Sequence, residues 1–279
     1  MRLRNVTRSR NVVDRRGQGG RAAGGLGGVA LLVVLAIGYF AGIDVTPLLE
    51  QGTPSQQSSE PRELTEAEQQ AGDFAARVLT TTETVWGEVF PDQMGQTYTP
   101  PQLVLFSEVT QSACGGASGS SGPFYCPADR RAYLDTAFFG FFADRLGAAG
   151  DFAAAYVIAH EVAHHVQNEL GILGQVQQLR AAASEREANA LQVRVELQAD
   201  CLAGVWAHHV AGLLDEGDIE EAVNAAERIG DDYLQARAGR QPNPHSFTHG
   251  TSDQRARWFE TGRVSGHVSD CDTFNTDRL

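Results

Sequence analysis

The segment that most constrains the fold is 151–171, DFAAAYVIAHEVAHHVQNELG. It consists of good helix formers, with Asp151 suited to an N-cap and Gly171 suited to a C-terminal stop. Tyr156, Val157, Ile158, Val162 and Val166 surround its polar residues, so the pattern predicts a helix buried in a core. Two histidines there, His160 and His164, would be costly without partners. Four residues apart, they leave a helix about 40° apart on one face. That spacing lets both imidazoles reach a single Zn²⁺ at about 2.0–2.1 Å. Glu161 follows about 100° round the axis, beside such a metal rather than on it. A carboxylate there can take the proton of an attacking water.

A catalytic zinc needs a third protein ligand and an open position. One class of HExxH proteins puts a histidine six residues beyond the second; here that position is Leu170, with Gln167 where a glycine is expected. The other class uses a glutamate on a later helix. Residues 183–210 read as one long proline-free helix containing Glu196-Leu-Gln-Ala-Asp200. Glu196 is the expected third ligand. Asp200, one turn on, can accept the free ring N–H of a zinc-bound histidine and fix its tautomer. Glu185 and Glu187 rank lower, because Asn189 and Leu191 stand one turn after them.

Charge is divided unevenly along the 279 residues. Residues 1–21 hold seven arginines and one acid, a surplus of six positive charges, which leaves −19 of the net −13 on the remainder. So acidic a body repels phosphate, and nucleic acid is excluded as a partner. Residues 22–43 are uncharged, with an apolar centre from Val29 to Ile43, and about 20 such residues span a bilayer. The arginines before this run predict a single-pass transmembrane helix with a cytoplasmic N-terminus and an exported domain. A cleaved signal peptide, giving a soluble secreted protein, is the alternative. Residues 44–62, rich in Pro, Ser, Gln and Thr, read as a flexible linker. The expected division is thus a basic head (1–21), a span (22–43), a linker (44–62) and a domain (63–279). In that domain Thr65 and Glu68 resemble a capping box.

In an exported domain an even number of cysteines suggests disulfides. Cys114 and Cys126 bracket the Gly/Ser-rich GGASGSSGPFY, and elimination then pairs Cys201 with Cys271. Three connectivities are open. No CxxC pair is present, which argues against a four-cysteine zinc site.

HEVAHHVQ, ELQADCLAGVWA, SGPFYCPADRRAYLD and SFTHGTSDQRARWFETG, in this order, resemble the bacterial putative neutral zinc metallopeptidases. The resemblance runs over most of residues 1–275, including NVVDRRG in the head. It implies a helix-rich α+β zincin-like domain, one zinc ion, and peptidase activity on a peptide or protein substrate. It matches His160, His164 and Glu196 to the metal and Glu161 to the base, and leaves the physiological substrate and the oligomeric state undefined.

Peptide hydrolysis builds negative charge on a carbonyl oxygen, which a donor besides the metal can stabilise. His249 is the first candidate, followed by His245 and Tyr233. Its stretch is also similar to the C-terminal region of membrane prenyl-protease-like zincins, where a histidine precedes an arginine-bearing helix. Arg255 reads as structural, tying that helix to an acid. His165, His208 and His209 read as packing or surface residues, and Trp206 and Trp258 as core. Arg131–Asp135 is the expected edge strand for an extended substrate, and the helix from Asp218, with Glu221 at its third position, reads as scaffold. A membrane-tethered zinc-binding adaptor without turnover is the rival to an enzyme, although an intact Glu161 argues against it.

Overall fold

The computed structural model describes residues 1–17, 62–118 and 122–279. Met1–Arg16 and Thr65–Leu279 form one compact unit, and Gly17–Leu64 a second. The expected span 22–43 and nearly all of the linker lie outside the described residues. Among the described residues no helix is long and apolar enough to cross a membrane.

The large unit is helix-rich α+β. Its strands are β1 (Val12–Asp14), β2 (Gln102–Phe106), β3 (Val109–Ser112), β4 (Gly115–Ser118), β5 (Phe124–Cys126) and β6 (Arg131–Asp135). One sheet runs β1-β2-β6-β5, and β3 and β4 form a separate antiparallel pair. β1, β2 and β6 are parallel, while β5 returns antiparallel with Tyr125 opposite Ala132. β6 is therefore an inner strand. The edge position expected of Arg131–Asp135 is corrected: the polypeptide turns back after Cys126 and leaves Phe124–Cys126 outermost.

The helices are α1 (Glu66–Met94), α2 (Ala137–Leu146), α3 (Asp151–Glu169), α4 (Ile172–Ala182), α5 (Glu185–His209), α6 (Asp218–Arg228), α7 (Asp231–Arg237) and α8 (Ser252–Ser265). Thr65 and Glu68 cap α1 reciprocally as expected, and Ser184–Glu187 and Thr251–Gln254 repeat the device on α5 and α8. Such boxes satisfy N–H groups that have no partner within the helix. On α3 the cap differs from expectation. Gly150 occupies the N-cap and Asp151 is the first helical residue. The missing side-chain acceptor comes from α6, where Glu221 Oε2 takes the Phe152 N–H at 3.0 Å.

α3 is buried along most of its length, from Phe152 to Val166, and packs against α1, α5 and α6. Phe152 stacks on Trp206 of α5, with ring centroids 5.5 Å apart. The crossing of α5 and α8 is closer than side chains permit. A Cβ on Gly204 would lie 2.0 Å from the Phe259 carbonyl oxygen, and one on Gly262 would lie 1.8 Å from that of Cys201. The two glycines therefore set how near Arg255 on α8 comes to Asp200 on α5.

The first 16 residues are not a separate head. β1 extends the sheet through β2, and the Leu3 side chain joins the main hydrophobic cluster. Arg16 is buried and pairs with Asp14 at 2.7 Å. The amino group of Met1 meets Asp151, Asp215 and Asp218 at 3.0–3.2 Å. The sequence groups residues 1–21 as a basic head and starts the domain at 63, whereas Met1–Arg16 lie in the same compact unit as Thr65–Leu279. The disulfides are Cys114–Cys126 and Cys201–Cys271. The first fixes β5, and the second ties α5 to the C-terminal segment.

Candidate metal centre

α3 presents His160 and His164 on one face, and α5 brings Glu196 up to them. Glu196 Oε2 lies 3.2 Å from His160 Nε2 and 3.4 Å from His164 Nε2. The rings stand nearly perpendicular, with centroids 4.8 Å apart. One donor atom from each residue lies within 4.8 Å of the others, so a single ion can meet all three.

The protonation state of each ring is set from behind. His160 Nδ1 lies 2.9 Å from Asp200 Oδ1, and His164 Nδ1 lies 2.9 Å from Gln167 Oε1. An acceptor at Nδ1 holds the proton there and turns the Nε2 lone pair toward the common point. Two imidazole nitrogens and one carboxylate oxygen form a donor set suited to Zn²⁺, so the residues fit the metal.

Asp200 is fully buried and saturated. It accepts from Tyr156 Oη at 2.5 Å, and from Arg255 Nη2 and Nε at 2.9 Å each. Arg255 also donates to the Ile229 carbonyl. The acid that Arg255 was expected to tie is thus Asp200 itself. Behind His164 the chain is neutral. Gln167 Nε2 donates to the Val195 carbonyl and to Gln198 Oε1, and Gln198 Nε2 donates to the Cys271 carbonyl. Gln192 Nε2 donates to the second oxygen of Glu196 at 2.7 Å.

These surroundings move the proton affinities. Burial opposes charge on His160, but the Asp200 carboxylate outweighs it and the ring is pushed up to about 9. Burial raises the Glu196 carboxyl, yet His164 and His160 overcome this and hold it well below its usual range. For Glu161 burial prevails over the two histidines, and its carboxyl sits above the usual value.

The centre opens into a cleft of about 520 Å³, walled by Phe124 and Tyr125 of β5, Phe138 of α2, Val176 of α4 and Leu234 of α7. Glu161 and His249 both line it. His249 stands on a loop held by Asp231, whose Oδ2 accepts the backbone N–H groups of Thr248, His249 and Gly250 at 2.7, 2.6 and 3.1 Å. Asp231 Oδ1 faces His249 Nδ1 at 3.6 Å. The runners-up do not line the cleft: Tyr233 Oη accepts from Arg228 and Arg237, and His245 sits in an exposed 3₁₀ turn. His165 is buried, with its ring nitrogens on Tyr125 Oη and the Thr99 carbonyl.

The sequence reading missed three residues that the same-face rule could have found. Tyr156 is one turn before His160, Gln167 is three residues after His164, and Gln192 is one turn before Glu196.

Fold and site together define a helix-rich α+β protein in which an HExxH helix and a glutamate from a second helix bring three possible metal ligands together. The chain belongs to the family described as putative neutral zinc metallopeptidase, whose model matches residues 1–274. It is 46% identical over 285 residues to the uncharacterized protein YpfJ of Escherichia coli K12, covering 98% of this chain and 99% of that one. It is 41% identical over 219 residues to the uncharacterized protein Rv2575 of Mycobacterium tuberculosis H37Rv, covering 73% of this chain and 71% of that one. No solved structure matches.

Proposed function

We propose that the protein is a zinc-dependent peptidase with Glu161 as general base. The observation that carries this reading is the convergence of His160, His164 and Glu196 on one point, with both Nδ1 atoms engaged by acceptors, at the side of a cleft that Glu161 also lines. Bound zinc would polarise the scissile carbonyl and lower the pKa of a water toward about 7.

The chain's own groups would do the rest. The raised proton affinity of Glu161 suits it to take a proton at its carboxylate from the attacking water and return it to the leaving amine. His249, with its loop fastened by Asp231, would donate to the carbonyl oxygen as negative charge grows there. β5, the outer strand beside the cleft, would pair with an extended peptide through backbone hydrogen bonds. Both disulfides favour an oxidising compartment, hence an exported domain.

The test is Glu161→Gln in the full-length protein, measured for zinc content and for cleavage of a peptide library. Zinc is expected to remain and cleavage to fall by about 10²–10⁴-fold. Equal cleavage by both proteins would remove Glu161 from the reaction. Zinc without cleavage in either would favour the tethered adaptor.

A further inference from the structure

We propose that Arg180 is a specificity-determining residue that selects substrates carrying a carboxylate near the scissile bond, an inference that rests on the peptidase reading. Arg180 lies in the last turn of α4 and lines the same cleft as Glu161 and His249. Its Nη1 donates to Gln192 Oε1 at 2.6 Å, and Gln192 Nε2 donates to Glu196 Oε1 at 2.7 Å. The Gln192 amide can satisfy both neighbours in one orientation only, oxygen toward the guanidinium and nitrogen toward the carboxylate. The cation is therefore held one amide away from the proposed third zinc ligand.

Two charged groups of this wall can be compared. Arg255 is spent on Asp200, to which it gives two hydrogen bonds. Among the described residues the Arg180 side chain has no carboxylate partner, and its one hydrogen bond is to a neutral amide. A guanidinium carries five N–H donors in a planar fork that matches a carboxylate. Of the two arginines that line the cleft, Arg255 faces an acid and Arg180, among the described residues, does not. Glu161 and Glu196 are committed to the centre, so an incoming peptide is the remaining source of an anion. Phe124, Phe138 and Val176 line the same cleft and give apolar surface for the rest of that peptide.

A carboxylate can come from an acidic side chain or from the C-terminus of the substrate. Acetylated heptapeptides with an Ala/Leu background would be bound to zinc-loaded, full-length Glu161→Gln protein, with turnover by the wild type measured separately. One arm walks Glu against Gln through each position, with an amidated C-terminus. The other compares free and amidated C-termini. The expected result is binding about tenfold tighter for the carboxylate form in one arm, which identifies its source. Arg180→Gln should abolish the preference, and Arg180→Glu should reverse it toward a Lys-bearing peptide.

Equal binding of all matched pairs overturns the proposal. So does an equal weakening of every peptide by Arg180→Gln together with lost zinc affinity, since Arg180 would then only prop Gln192 and Glu196. Absence of binding by any peptide overturns it as well. A carboxylate preference in binding without cleavage by the wild type supports Arg180 as an anion-recognition residue and overturns the peptidase reading instead.

Discussion

His160 and His164 leave the same helix one turn apart, yet the groups behind them differ in kind. Behind His160 stands a buried ionic cluster, with Asp200 receiving Tyr156 and the Arg255 fork. Behind His164 stands a relay of neutral amides, from Gln167 through Gln198 to the Cys271 carbonyl. The ionic side connects α3, α5 and α8 and so couples the centre to the fold. The amide side fixes a tautomer without burying a charge. Removing one partner of a buried ion pair strands the other, whereas an amide relay loses only hydrogen bonds.

That contrast can be broken from its strongest point. Arg255→Met removes the guanidinium from buried Asp200 and leaves it only His160 as a cationic partner, which should cost about 3 kcal/mol of stability, measured by denaturant unfolding of the metal-free protein. A loss under about 1 kcal/mol would mean that the cluster carries no more than the amide side. Asp200→Asn keeps the shape and removes the charge behind His160. Zinc affinity should fall by about 10–100-fold, measured by competition with a chelator, and an unchanged affinity would dissociate Asp200 from the metal. Gln167→Ala, the mildest change, should cost about 1 kcal/mol of stability, read from the same unfolding curves. A loss as large as that of Arg255→Met would erase the distinction between the two sides.

Much of the centre was legible in the sequence because helical spacing is local. His160, His164, Glu196 and Asp200 follow from positions four apart, and the capping box at Thr65 from positions three apart. Gln167 and Gln192 obey the same spacing and were passed over, since an amide on a helix looks the same whether it faces solvent or a ligand. β1 was illegible for another reason. Three residues among seven arginines have no period to read, and their partner strand begins at Gln102. The edge strand was misplaced because Arg131–Asp135 and Phe124–Cys126 are both short and extended, and only pairing decides which is outermost. The cross-helix approach at Gly204 and Gly262 likewise exists only once the helices meet.

The place of β1 in the sheet carries a consequence for the β2 backbone. Val12–Asp14 pair with Leu103–Leu105 and so cover that side of the four-stranded sheet. Removing Met1–Arg16 would bare β2 as a new edge, and an unpaired strand edge is a template for association with another copy.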